Sequence, residues 1–330
     1  MKAVLEDHHG GPEVLRLSEV DAPQPGAGQI LLGVHAAGLN RADVLQRHGK
    51  YPVPAGESNI YGLEVSGTVE QVGDGVDPAL MGQERVALLG SGGYAEYVAV
   101  DVSHTLPKPK NLSHAEAAGL MEVAATVYSN LIGAAGLSTE LSENQGKTAL
   151  VHGGTGGIGL HAIALLKNLG VKVFTTAGAP EKCAYLQSIG AEAINYRHQN
   201  FREVLSAEAP GGVDYILDVV GGKYFEDNLR SLAVDGHLCF IALQGGTQAQ
   251  ADLALMMNRR LNVHGTTLRG RPANQKAAIV RGVGKVVWPL VERGLIQPHL
   301  DRVFDFAQVQ EAHEYFDSGE HRGKVVLSMR

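Results

Sequence analysis

Apolar residues follow two rhythms along this chain. From Lys147 to Gly265 short apolar runs alternate with segments of helical spacing. Lys147–Val151 predicts a buried strand, after which Leu160, Ile163, Leu166 and Leu169 recur every third residue beside Ala162 and Leu165, as on a helix buried over much of its surface. The alternation continues with strands predicted at 171–178, 193–196, 213–220, 237–243 and 261–265. Helices are predicted near 182–189, 201–205 and 225–232, with a further short one before the last strand. Such near-continuous apolar strands require cover on both faces, which predicts an α/β fold with a doubly wound parallel sheet.

The first ~120 residues, a domain-sized piece, keep a different rhythm. Short strands are predicted at 30–36, 63–72, 84–89 and 94–100, separated by turn-forming stretches at 23–26, 73–75 and 91–93. This predicts an all-β segment closing into a partial barrel. One long helical stretch, Ser113 to Ala135, then leads to the α/β part, with Ser113 and Glu116 in capping-box spacing at its start. A strand at 303–306, a helix at 309–316 and a strand at 324–327 read as a return to the first part.

Composition narrows the class without changing this picture. At 330 residues, 44% apolar and with 42 glycines, the chain suits a two-domain, turn-rich α/β protein. No apolar run approaches the ~18 residues of a membrane span, and the amino terminus lacks a signal-peptide pattern, so a cytoplasmic protein with no membrane partner is expected. A net charge of −7 without a basic run argues against nucleic acid as partner. Cys183 and Cys239 fall in a predicted helix and a predicted strand, as small buried hydrophobes rather than a disulfide pair.

The chemistry concentrates at 152–159, where G-x-G-x-x-G lies between a predicted strand and a predicted helix. That context predicts a dinucleotide site: Gly154 for the tight turn, Gly156 for close approach of backbone to a pyrophosphate and Gly159 for helix packing. The amides of Gly157 and Ile158 then face the anion at the helix N-terminus. An acid for a ribose 2′-hydroxyl belongs about 20 residues further on, and that place falls at Ala177 or Gly178. Without that carboxylate, and with Lys182 one helical turn beyond, NADPH is expected in preference to NADH. Glu181 is the opposing charge, and is expected to face solvent in the first turn of its helix. Gly221, Leu243 and Gly245, at the ends of later strands, fall where backbone approaches the cofactor.

The order of β domain, nucleotide unit and return, together with Ala37–Asp43, Tyr51-Pro52, Gly62–Gly67 and Gly153–Gly159, resembles the medium-chain dehydrogenase/reductase superfamily over essentially the whole chain. These motifs look like its zinc-independent quinone oxidoreductase branch, and within that branch Leu39–Asp43, Asn59–Glu64 and Ile216–Asp218 with Gly221-Gly222 most resemble the tumour-suppressor-inducible NADPH:quinone oxidoreductases. The resemblance implies a Rossmann domain at 123–265 inserted in a GroES-like β-barrel domain at 1–122 plus 266–330. It also implies that Tyr51 lines the substrate cleft, that Asn40 and Thr126 lie near the nicotinamide, and that Tyr196 and Arg322 join Gly178 and Lys182 around the adenosine phosphate. Leu268 and Arg269 are then placed where the partner domain closes over the nicotinamide. The segment Leu120–Thr126 departs from relatives that carry a bulkier aromatic there.

No metal is expected. Relatives that hold zinc use thiolate and imidazole ligands, whereas the matching positions here are Leu39-Asn40 and Gly62-Leu63-Glu64, and 90–110 hold no cysteine. Reduction would then rest on positioning a conjugated acceptor and stabilising charge on its oxygen, with Tyr51 and Asn40 as the catalytic candidates. The alternative for Tyr51 is packing on Pro52 and Pro54; for Asp43 it is anchoring the loop, and for Glu64 standing beside a vacant metal position. The expectation is a homodimeric NADPH-dependent quinone reductase acting at the interdomain cleft. Reduction of an enoyl thioester or alkenal double bond, and an NADPH-binding sensor or crystallin-like protein with little turnover, are the alternatives.

Overall fold

The computed structural model describes residues 1–329. They form two compact units: Thr126–Thr267, one continuous segment, and Met1–Ala125 together with the chain from Leu268 onward.

The continuous unit carries six strands, β1 (Thr148–Val151), β2 (Lys172–Ala177), β3 (Glu192–Asn195), β4 (Val213–Asp218), β5 (Leu232–Phe240) and β6 (Asn262–Gly265). They lie in the order β3-β2-β1-β4-β5-β6, every neighbouring pair parallel. This is the doubly wound order, with its reversal beside β1. Register explains the apolar runs: Leu150 of β1 sits between Phe174 and Ile216, and these three share a buried cluster with Ile194, Phe201, Leu205, Leu229 and Leu238. The helices α1 (Gly157–Asn168) and α2 (Pro180–Ser188) follow β1 and β2.

The predicted strand 237–243 is shifted. β5 begins at Leu232, its register slips between Val213 and Tyr215 of β4, and Asp235 adopts φ 63° before Gly236. It ends at Phe240, the partner of Asp218 in β4, with the Ile241 amide making the last bond of the ladder to the Asp218 carbonyl at 2.9 Å. The predicted helix 113–135 is divided into His114–Ala118, Met121–Val127 and a π-helical turn at Tyr128–Ala134. Its start is capped as expected, Glu116 accepting from the Ser113 amide. Gly119, in the break, is held close to the Lys324 stem: a Cβ there would lie 3.1 Å from its Cβ and Cγ.

In the other unit, strand 29–38 is the hub. It pairs antiparallel with 64–72, 97–101 and 324–328, and the last of these pairs parallel with 300–305. Ile30, Leu32 and Val34, alternate residues of the hub, enter a core with Val65, Val69, Val98, Val100 and Leu327, while Leu31 and Ala36 between and beyond them are buried as well, Ala36 against Ala118 and Val326. The hairpin 2–6/15–19 adds to it. No helix among the described residues is long and apolar enough to cross a membrane. Cys183 and Cys239 are both buried and free.

Candidate active site

In the continuous unit, the turn after β1 has three positions that only glycine permits, distributed differently from the motif's expected roles. The left-handed residue is Gly153 (φ 73°) rather than Gly154. Gly154 is required by proximity, since a Cβ would fall among the Thr175 side chain of β2 with Leu186 at 3.1 Å. Gly159 meets backbone: its Cβ would lie within hard contact of the Gly153 carbonyl and 2.8 Å from the Gly154 Cα, which fixes how closely α1 rests on its turn. Gly156 alone is uncrowded, the Gly153 oxygen at 3.5 Å being its nearest neighbour. It is the N-cap of α1, and the Gly157 and Ile158 amides follow in the first turn, where unpaired N–H groups and the helix dipole favour an anion.

A buried hydrogen-bond chain fixes the strand ends beneath this turn. The Gly153 amide donates to Thr176 Oγ1 (3.3 Å), which contacts His152 Nδ1 (3.1 Å); His152 Nε2 meets Asn228 Oδ1 (2.8 Å), and Asn228 Nδ2 donates to Asp218 Oδ2 (3.0 Å). Asp218 further accepts the Val220 and Gly221 amides. Because the chain ends on a carboxylate, Asn228 presents its oxygen to His152, which assigns the proton to Nε2. Burial, offset in part by Asn228, pushes the His152 pKa down to about 4, and burial raises Asp218 to about 6.

His152 therefore stays neutral in the folded protein where it charges in the unfolded chain, so its contribution is complete above pH 6.5 and is lost as pH falls towards 4. Asp218 works in the opposite sense, its contribution lost as pH rises from 3.8 through 6. We expect the wild type to lose about 3 kcal/mol more than His152→Gln between pH 7 and 4. Unfolding free energies at the two pH values measure it, and parallel losses in the two proteins would refute it.

The loops leaving β4 and β5 are zipped together. Gln244 and Gly245 amides donate to the Val219 and Val220 carbonyls, and the Gly222 amide to the Gly246 carbonyl. Gly221 is left-handed (φ 81°), and a Cβ on it would sit 2.8 Å from the Leu243 side chain, which is itself exposed. At the ends of β2 and β3 the Tyr196 phenol lies over Gly178: a Cβ there would be 2.5 Å from its hydroxyl oxygen. Lys182 is half-buried in the first turn of α2, and Ala177, the last residue of β2, offers no carboxylate. Glu181 beside it is exposed. Thr126 is buried, its carbonyl accepting from Ser129 Oγ and Asn130 Nδ2.

The other unit holds Asn40, Tyr51, Leu268, Arg269 and Arg322. Tyr51 is half-buried in the loop after helix 41–47, under the Arg269 guanidinium, whose carbon is 5.3 Å from the ring centroid. Arg269 is locked there by the Gly90 carbonyl (2.6 Å to Nε) and Gln46 Oε1 (2.7 Å to Nη2). Burial and then the Glu122 charge raise the Tyr51 pKa, with Arg269 opposing, so at neutral pH Tyr51 is a phenol able to donate a proton or hydrogen bond. Leu268 is half-buried beside it in sequence. Arg322 lies before strand 324–328, its amide donating to Asp301 Oδ1, so it belongs to a different unit from Lys182 and Tyr196.

Asn40 is held by groups that local sequence reading does not pair with it. Its Nδ2 donates to Glu64 Oε1 (3.1 Å) and the Gly38 carbonyl (3.3 Å), while Oδ1 accepts from Lys324 Nζ (2.7 Å). Lys324 Nζ also reaches Glu64 Oε1 (2.7 Å) and the Leu39 carbonyl (2.6 Å), and Glu64 Oε2 accepts the Glu122 amide. With both Nδ2 protons engaged, Asn40 offers no donor to a substrate oxygen, contrary to its expected role beside Tyr51. Asp43 accepts from the Asn40 and Gly62 amides and the Tyr94 hydroxyl, which makes it the anchor of the loop. These residues do not fit zinc: Asn40 and Leu63 supply neither thiolate nor imidazole, and the single carboxylate is paired to an ammonium.

The sequence matches the model of the alcohol dehydrogenase GroES-like domain over residues 26–110 and that of the zinc-binding dehydrogenases over 189–327. Quinone oxidoreductase-like protein 2 of Bos taurus is 30% identical over 305 residues, 92% of this chain and 85% of that protein. A segment amounting to 15% of the mycocerosic acid synthase-like polyketide synthase of Mycobacterium tuberculosis is 28% identical over 97% of this chain. Among solved structures, Escherichia coli quinone oxidoreductase complexed with NADPH superposes with a TM-score of 0.87 at 26% identity, covering 99% of this chain and all of that one.

Proposed function

Because this chain belongs to the quinone oxidoreductase branch of the medium-chain dehydrogenase/reductase superfamily, we propose that it is an NADPH-dependent, metal-independent reductase of quinones. The observation that carries this reading is the pairing of the one carboxylate at Asn40-Leu63-Glu64 with the Lys324 ammonium. With no Lewis acid to polarise a simple carbonyl, reduction favours an acceptor already activated by conjugation.

NADPH fits the chain's own residues. Gly156, open on its Cβ side, and the Gly157 and Ile158 amides would take the pyrophosphate, and Gly221, Leu243 and Gly245 would line the approach along β4 and β5. Gly178, Lys182 and Tyr196 would receive the 2′-phosphorylated adenosine, with Arg322 as a further cation. Thr126, Asn40, Leu268 and Arg269 are assigned to the nicotinamide side. When bound, the cofactor supplies a hydride to the conjugated acceptor. Tyr51, held as a neutral phenol, donates a hydrogen bond to the acceptor oxygen as it gains charge. Arg269 keeps the ring in place and lends positive charge above it. We assign the protein to a homodimer by analogy of family and symmetry preference.

Following NADPH absorbance against an ortho-quinone, a para-quinone and a short enoyl thioester tests the reading. Turnover with a quinone alone supports it. Turnover of the thioester alone would move the protein to double-bond reduction, the second reading, which the likeness to a polyketide synthase segment favours. For the cofactor, Lys182→Ala is expected to weaken NADPH about 10- to 30-fold and NADH hardly at all, as loss of a charge-assisted contact would. Equal losses for both nucleotides would remove Lys182 from the phosphate.

A further inference from the structure

We infer that Lys324 is a positioning residue whose ammonium is a built-in cation that fixes the side-chain amide of Asn40 in one orientation. The inference rests on the assignment of Asn40 to the cofactor side. The three N–H bonds of Lys324 match three acceptors, the Leu39 carbonyl, Asn40 Oδ1 and Glu64 Oε1, at 2.6–2.7 Å. An ammonium only donates and a carboxylate only accepts. Rotating the Asn40 amide by half a turn would set its NH2 against the ammonium and its oxygen against Glu64, so the pair permits one orientation. With Nδ2 committed to Glu64 and Gly38, and Oδ1 turned toward the Lys324 ammonium and the Asp43 amide of the helix cap, the oxygen end is the end of the Asn40 amide that can meet a ligand. The ligand group it can take is therefore a donor, a sugar hydroxyl or a carboxamide N–H, and not a carbonyl oxygen. The pair is itself held: Glu64 is fully buried with Oε2 on the Glu122 amide, and the Lys324 stem runs against Gly119, where a side chain would crowd it.

The test is a cycle of Asn40→Ala, Lys324→Ala and the double variant, read as the NADPH dissociation constant of the full-length protein. Lys324→Ala is expected to weaken NADPH about tenfold, one well-placed hydrogen bond. The double variant should be no weaker than Asn40→Ala. Propylamine, which replaces the deleted stem and charge, should restore the lysine variant, and propanol should not. Losses that multiply in the double variant, or equal rescue by propanol, would overturn the inference. If Lys324→Ala does not fold, Glu64→Gln/Lys324→Met removes the pair without leaving a lone charge; the same tenfold loss is expected, and wild-type affinity overturns the inference. Wild-type affinity in Asn40→Ala would instead remove Asn40 from the cofactor. Exchange of the Asn40 Nδ2 protons in the free, 15N-asparagine-labelled protein then decides, slow exchange in wild type and fast in the Glu64→Gln/Lys324→Met variant being expected, and equal exchange overturning the inference.

Discussion

Gly156→Ala is expected to leave the protein folded and to weaken NADPH about a hundredfold, a change worth roughly 2.7 kcal/mol. The nearest atom its new methyl group meets is the Gly153 oxygen at 3.5 Å, an ordinary contact, so nothing in the free protein has to move. As an N-cap, Ala is less favourable than Gly by about 1 kcal/mol or less, which bounds the stability change. The methyl group takes the space through which backbone would otherwise reach the pyrophosphate. Gly159→Ala is the control. Its methyl group strikes the Gly153 carbonyl and the Gly154 Cα, neither of which can turn aside, so that variant loses stability before affinity can be read. Thermal unfolding and NADPH titration of the two variants side by side check both statements, and a Gly156→Ala protein that binds NADPH normally would remove the pyrophosphate from this turn.

The second large effect is on stability. Lys324→Met leaves the Glu64 carboxylate buried without its cation, and a loss of about 3–5 kcal/mol is expected. Both partners are interior, with side-chain exposures of 7% and 0%, so water does not screen the loss. Glu64→Gln added to Lys324→Met should recover most of it, because two neutral groups of similar size need no counter-charge. Urea unfolding of the single and double variants measures this, and a double variant less stable than Lys324→Met would show that the pair is not what the lysine stabilises.

Local pattern was enough for the parts of the molecule in which cause and effect lie close together in sequence. The parallel sheet, the glycine turn and the Ser113–Glu116 cap are of this kind: each follows from spacing within a few residues or from a repeated rhythm. What pattern did not reveal lies in contacts across long separations. Nothing near Gly153 says that it, and not Gly154, takes the left-handed backbone, or that Gly154 is glycine because Thr175, one strand over, leaves no room for a side chain. Asn228 looks like an ordinary helix residue until β1 and β4 bring His152 and Asp218 to either side of it. The need for glycine at 119, in the break between the helices, comes from the Lys324 stem passing beside it. Asn40 was legible as a candidate from its motif, but its available chemistry is set by Glu64 and Lys324, and only the acceptor half of the amide is left.

The unit that begins at Met1 is also made of two chain segments, and its hub strand 29–38 waits for strand 324–328 to pair with. A ribosome working at roughly 5–20 residues per second takes on the order of 15–50 s to travel from Glu64 to Lys324. During that interval the nascent chain exposes an edge of its sheet and carries an acid in a half-built core without its counter-ion. The inserted unit, complete by Thr267, has time to fold ahead of the unit that surrounds it. Strand 324–328 thus acts as a latch, and a chain released short of it would be a client for chaperones or proteases.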